Sequence, residues 1–126
     1  MSRYLLDTHF VYWWMRNDPE LGSVAREIIA NEDVVVSVVT LWELTLKNRK
    51  GKLSLPEAPL AVSLETQGFS VLPLRGEHIE AGRGINLFHQ DPFDYMMVAV
   101  AQTEGRILLT RDHTLLAAHL PYVQAA

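Results

Sequence analysis

The chain has 126 residues and a mass of 14.3 kDa, is 48% hydrophobic and contains no cysteine. That is enough chain for one domain, residues 1–126, with its own core, and the lack of thiols excludes a disulfide framework, a thiolate metal site and a cysteine nucleophile. Fifteen acids against eleven Lys and Arg give a formal charge of −4, a bulk field that does not favour nucleic acid but leaves the matter to local patches. No apolar run is long enough to span a bilayer, and the opening MSRYLLD turns acidic too early for a secretory signal. The expectation is a soluble, cytoplasmic, globular domain.

The first strand is predicted at residues 4–6 and is followed by helical patterns at 9–16 and 23–30. A β-branched run at 34–38 predicts the second strand, and a helix follows at 41–50. GKLSLPEAP, residues 51–59, reads as a loop between helices. Next come a helix at 60–67, a strand at 70–72 and helices at 76–84 and 92–104. A strand at 107–109, a short helix at 113–118 and a weak fifth strand at 122–123 complete the chain. Strands alternating with helices predict an α/β domain, its sheet mainly parallel and flanked by helices on both faces. The order of the strands is not readable from these signals.

The acids fall at particular places in this pattern. Asp7 follows the first strand in LLDTH, Glu43 lies in the first turns of a helix in TLWELTLK, and Asp112 follows a strand in ILLTRD. Asp91 and Asp94 open the helix at 92–104 in DPFDYMM. In a parallel sheet, strand C-termini and the N-termini of the next helices share one edge, where open α/β sheets bind ligands. Asp7, Glu43, Asp94 and Asp112 are all predicted there. Each also has a plainer reading. Asp7 and Asp112 suit turns or helix starts, Asp91 before Pro92 suits an N-cap, and Glu43 with Lys47 suits an i,i+4 ion pair. Asp94 is the hardest to treat so, because it heads an apolar stripe of Met97, Val98 and Ala101. Two carboxylates about 4 Å apart repel by roughly 4 kcal/mol at an effective dielectric near 20, so four together call for a cation. Oxygen-only ligands suit Mg²⁺ or Mn²⁺, and such a centre suits metal-assisted phosphodiester hydrolysis.

LLDTHFVYWW, VSVVTLWELTLKNRKGKLSLP, HQDPFDYMMVAVAQTEG and ILLTRD follow one another in an order and spacing that cover essentially the whole chain. In this it resembles the PIN-domain ribonucleases, specifically the VapC-like toxins of bacterial type II toxin–antitoxin systems. The resemblance implies a compact five-stranded parallel α/β fold and an endoribonuclease with one or two Mg²⁺ or Mn²⁺ ions. By motif, the ions would be held by Asp7, Glu43, Asp94 and Asp112, with Asp7 and Asp94 as principal ligands. Thr8 and Thr110 match hydroxyl positions beside family acids and would orient the carboxylates; Asp91 belongs to the same DPFD segment. The resemblance also implies a homodimer held inactive by a cognate antitoxin, whose peptide crosses the acidic groove with a basic side chain near the metals.

Lys47, Arg49, Lys50, Lys52 and Arg111 are candidates for gripping RNA phosphates, although the first four also suit a solvated helix end. His9, His89 and His113 lie near the acids in sequence but read as hydrogen-bonding or surface residues and are left out of the metal set. Trp13, Trp14 and Trp42 read as packing or interface groups before base-stacking ones. Two rival functions remain. A phosphatase-like Mg²⁺ domain would want an Asp where His9 stands, and a phosphoryl-transfer receiver would want a late Lys, whereas none follows Lys52. A catalytically silent PIN-fold interaction domain would keep the fold without turnover.

Overall fold

The computed structural model describes residues 3–85 and 91–126; His89 lies outside the described residues. Five strands form one all-parallel sheet: β1 (Arg3–Leu6), β2 (Asp33–Ser37), β3 (Ser70–Leu72), β4 (Ile107–Thr110) and β5 (Val123–Ala125). The helices between them are α1 (Thr8–Met15), α2 (Ser23–Asn31), α3 (Val38–Arg49), α4 (Leu60–Thr66), α5 (Gly76–Ala81), α6 (Pro92–Glu104) and α7 (His113–Ala117). Short 3-10 turns at Pro19–Leu21 and Gly82–Gly84 complete the order.

The strand order is β3-β2-β1-β4-β5. The chain winds outward from β1 to β3, then returns to place β4 on the other side of β1. The direction therefore reverses between β1 and β4, and at that switch point the strand ends open a crevice. The register sets Leu6 beside Leu109, so Asp7 and the Thr110–Asp112 turn emerge side by side.

Alternation along each strand divides the core into two. Tyr4, Leu6, Val36 and Leu109 face one way, with Phe10 and Val11 of α1, Ala25 and Ile29 of α2, Leu44 of α3 and Leu64 of α4. Leu5, Val35 and Leu108 face the other way, against Met97 to Ala101 of α6 and Leu115 of α7. Helices on both faces explain why the strands are apolar at successive positions. The bulky Tyr12–Met15 run of α1 packs its half-buried side chains against the first of these cores.

Two arginines tie the periphery to the sheet. Arg106 is buried, donates to Tyr4 O and pairs with Asp33 at 2.9 Å, joining the entrances of β4, β1 and β2. Arg111 donates to the carbonyls of Glu20 and Leu21, both at 2.6 Å, and to that of Ala126.

The main departure from the sequence pattern lies after β2. The β-branched run 34–38 reads as strand and helix is expected from 41, yet the helix starts at Val38. The buried Ser37 hydroxyl accepts the Val39 N–H at 3.1 Å and caps α3 there. A satisfied cap outweighs the modest strand preference of Val38, Val39 and Thr40. The extra turn rotates Thr40 and Glu43 onto the buried side. Ser37→Ala should lower unfolding free energy by about 1 kcal/mol, measured by urea denaturation.

Candidate metal centre

Asp7 leaves β1 in extended conformation and caps α1. Its Oδ1 accepts the Thr8 N–H at 2.7 Å and its Oδ2 accepts the Thr110 hydroxyl at 2.6 Å. The carboxylate is buried, and burial pushes its pKa up against the opposing pull of those two hydrogen bonds. Each oxygen still has a lone pair free for another partner.

The two threonines extend the network in opposite directions. Thr110 Oγ1 accepts the Asp112 N–H at 3.0 Å while donating to Asp7, so one hydroxyl couples the acids of β1 and β4. Thr8 Oγ1 donates to Glu43 Oε1 at 2.6 Å and lies 3.3 Å from Thr40 Oγ1. Glu43 Oε2 pairs with Lys47 at 3.0 Å. Glu43, Thr8, Asp7, Thr110 and Asp112 thus form one hydrogen-bonded line across the strand ends. Thr8, Thr40 and Thr110 are all fully buried.

Asp112 caps α7, its Oδ1 accepting the Thr114 and Leu115 N–H groups at 2.9 and 3.0 Å. Oδ2 is left without a hydrogen bond among the described residues. Asp91 caps α6 through Phe93 N–H at 2.8 Å and Asp94 N–H at 3.2 Å. Asp94 stands half-buried in the first turn of that helix. Burial raises its pKa first, and the charges of Asp91, Asp7, Asp112 and Glu43 raise it further, to about 7. Asp94 therefore feels the charge of the other four carboxylates.

The donor set consists of carboxylate oxygens alone, which fits a hard divalent ion. Burial first, and then the neighbouring negative charges, hold Asp94 near neutrality, and a bound cation would relieve both by stabilising its ionised form. Asp7 and Asp112 have lone pairs with capacity to ligate directly. Glu43 has both oxygens engaged, by Thr8 and Lys47, and would act by way of those contacts or through water.

Glu77, His78 and Glu104 are the three groups among the described residues whose ligand atoms all lie within 4.8 Å of one another. They do not overlap the predicted acids. Glu104 is ten residues beyond Asp94, about 15 Å along α6. Arg75 already supplies their positive charge by pairing with Glu77 and Glu104. The buried His78 ring accepts the Arg75 N–H at Nδ1 and contacts Glu104 at Nε2, so this cluster locks α5 to α6.

The basic candidates divide. Lys47 is paired with Glu43, and Arg111 holds backbone carbonyls, whereas Arg49, Lys50 and Lys52 are exposed at the end of α3 and just beyond it. Beside the acids opens a cleft of about 350 Å³ lined by Asp7, Asp112, His9, Trp13, Arg111 and His113. Sequence reasoning treated His9 and Trp13 as ordinary surface and packing groups. Their i,i+4 spacing on α1 is the signal that puts them together. Thr40 is a further residue the sequence reading missed, three positions before Glu43 and on its helix face.

The PIN domain family model matches residues 4–119. Ribonuclease VapC22 of Mycobacterium tuberculosis (strain ATCC 25618 / H37Rv) is 27% identical over 119 residues, covering 91% of each chain. Among solved structures, VapBC2 from Rickettsia felis, bound to a promoter DNA fragment, matches with TM-score 0.69 and 14% identity over 99% of both chains. DNA-bound VapBC from Salmonella typhimurium matches with TM-score 0.69 and 22% identity, over 100% of this chain and 98% of that one. At these identities the structural likeness establishes the fold.

Two outcomes follow from the electrostatics and the threonine links. Unfolded Asp94 gives up its proton near 3.8, whereas folded Asp94 keeps it to about 7. Stability contributed by this carboxyl is therefore full below pH 3.8 and is lost as pH rises through 7. Asp94→Asn should lack that loss and be more stable than wild type at pH 8 by about 1–2 kcal/mol, after screening of the half-exposed group. Metal-free denaturation curves across this pH range provide the check. Thr110→Val strips a donor from buried Asp7 and should cost about 1–3 kcal/mol at pH 7, with Thr110→Ser costing clearly less; thermal melts compare the two.

Proposed function

This chain belongs to the PIN domain family, and on that footing we propose that it is a divalent-metal-dependent endoribonuclease of the VapC-like toxin type. The observation that carries the reading is that Asp7, Glu43 and Asp112, from three chain segments, are joined through Thr8 and Thr110, with Asp94 near enough to feel the charge of all three. The 27% identity to a protein named a ribonuclease supports the reaction class.

In this reading one PIN domain, residues 1–126, carries the activity. Asp7 and Asp94 would hold Mg²⁺ or Mn²⁺, with Asp112 completing the set and Glu43 contributing from the Thr8 side. Bound there, the cation would activate water and neutralise charge developing on the scissile phosphate. Thr8 and Thr110 fix the carboxylate orientations, so little rearrangement accompanies the reaction. Arg49, Lys50 and Lys52 grip RNA phosphates flanking the scissile one. Water oxygen attacks phosphorus in line, the P–O3′ bond breaks, and the leaving 3′ oxygen takes a proton. The products carry a 5′-phosphate and a 3′-hydroxyl.

Several structural neighbours are toxin–antitoxin complexes. The partner we propose for this chain is accordingly an antitoxin whose peptide places an Arg against the acidic edge, with the toxin acting as a homodimer in the cytoplasm. The acidity of the edge supports the choice of a cationic side chain.

Incubation of the purified protein with a mixed RNA pool tests the reading. Cutting is expected with Mg²⁺ or Mn²⁺ and none with EDTA. Asp7→Asn and Asp94→Asn, each checked for folding, should reduce cutting about 100-fold or more. Full activity in either folded variant would remove these acids from the site. A folded, antitoxin-free wild type that neither cuts RNA nor binds Mn²⁺ would favour a silent interaction domain.

A further inference from the structure

The cleft beside the acids contains a feature that metal chemistry does not require. His9 and Trp13, one turn apart on α1, lie ring on ring, with centroids 5.6 Å apart and planes inclined by 29°. His9 is exposed and Trp13 is half-buried. The Trp13 ring is backed from the protein side, because it lies 5.9 Å from buried Phe10 and the Arg111 guanidinium sits 5.2 Å from its centroid. Arg111 is fixed in turn by the carbonyls of Glu20 and Leu21. The stack is therefore anchored, and His9 is the member left exposed. It is two residues from Asp7 on the same turn of chain.

The i,i+4 spacing on α1 sets His9 over Trp13, and the exposed ring lines the cleft. The cleft of about 350 Å³ that it lines also contains Asp7 and Asp112, and that volume is in the range of small-ligand sites. A phosphate drawn to the carboxylates by their cation would bring the flanking base beside these rings. Unstacked bases of single-stranded RNA bind by stacking on aromatic side chains, histidine included. A peptide carries flat groups only at certain residues, whereas every nucleotide presents one, and this favours RNA as the occupant.

We propose that His9, supported by Trp13, is a stacking platform for the nucleobase next to the scissile phosphate, and so a positioning residue for the RNA substrate. The proposal rests on the nuclease reading for its substrate class, but it can be tested apart from cleavage.

Binding of a short, fluorescein-labelled single-stranded RNA is followed by anisotropy with Ca²⁺ in place of Mg²⁺, using wild type, His9→Ala and His9→Phe. The RNA carries the best-cut site, or a mixed sequence if no site is cut. His9→Ala should raise Kd about tenfold, and His9→Phe, which keeps a ring, should restore most of the loss. Where cleavage is measurable, KM should rise in parallel with little change in kcat. An abasic nucleotide beside the scissile phosphate should weaken wild-type binding by the same factor and leave His9→Ala unaffected. Melting temperatures confirm that the variants are folded, and the abasic arm needs no variant.

Unchanged Kd in His9→Ala, equal abasic losses in wild type and variant, or no RNA binding by wild type would each overturn the platform. Metal-dependent cutting with a silent His9→Ala would leave the nuclease standing without it. The expected binding pattern without any cutting would support the platform and remove the nuclease.

Discussion

The Asp7 carboxylate is buried at the seam between β1 and β4, and the organisation of the site depends on what holds it there. A buried carboxylate is costly unless donors meet it. Here the donors are the N–H of the following residue and a hydroxyl from the adjacent strand. The hydroxyl is available only because β4 pairs with β1 in a register that sets Leu109 beside Leu6. Asp7 N–H in turn donates to Leu109 O at 3.0 Å. Strand pairing, the Asp7 position and the Asp112 turn are thus a single arrangement, with Thr110 as its hinge pin.

Charge is the second constraint. Hydrogen bonds stabilise Asp7 in place but do not remove repulsion from its neighbours, and on Asp94 that repulsion adds to the larger effect of burial. Asp94 has the opposite support from Asp7: it stands on a helix whose buried side, Met97 to Ala101, is packed into the second core. The packing of α6 carries the carboxyl to the acidic edge despite the electrostatic penalty. The fold holds an unfavourable concentration of charge with apolar contacts made elsewhere on the same helix, an arrangement suited to receiving a cation.

Much of this was legible in the sequence, for a specific reason. Which edge an acid occupies depends on local signals: a strand end for Asp7 and Asp112, a helix start for Asp94, and for Glu43 a place in the early turns of a helix that starts at Val38. Those signals need no knowledge of strand order, because every parallel strand ends on the same side. The adjacency of β1 and β4 was not legible, since pairing is decided between residues about a hundred positions apart. The same limit applies to the cleft. The i,i+4 relation of His9 and Trp13 is visible on α1, but Arg111 and His113 reach it from the other side of the switch point. Arg111 illustrates the converse: it looks like a free cation in sequence, yet three backbone carbonyls hold it. The Lys47 pairing with Glu43 is the one that the i,i+4 spacing made visible.

Capping and metal binding looked like competing explanations for these acids, but the structure removes the opposition. Asp7, Asp91 and Asp112 all cap helices. A cap fixes the side chain relative to a rigid helix, and for Asp112 it engages one oxygen while Oδ2 remains. For Asp7 it engages Oδ1, and Thr110 steadies Oδ2 without exhausting its lone pairs. Helix N-termini are also where the macrodipole favours negative charge, so each cap offsets part of the cost of crowding carboxylates at one edge. At α1 and α7 the residue that starts the helix, Asp7 or Asp112, is thereby held and partly compensated, with lone pairs left for a ligand. The sharp strand-to-helix turns of the fold supply such residues at the crevice, and they account for why this edge carries the acids.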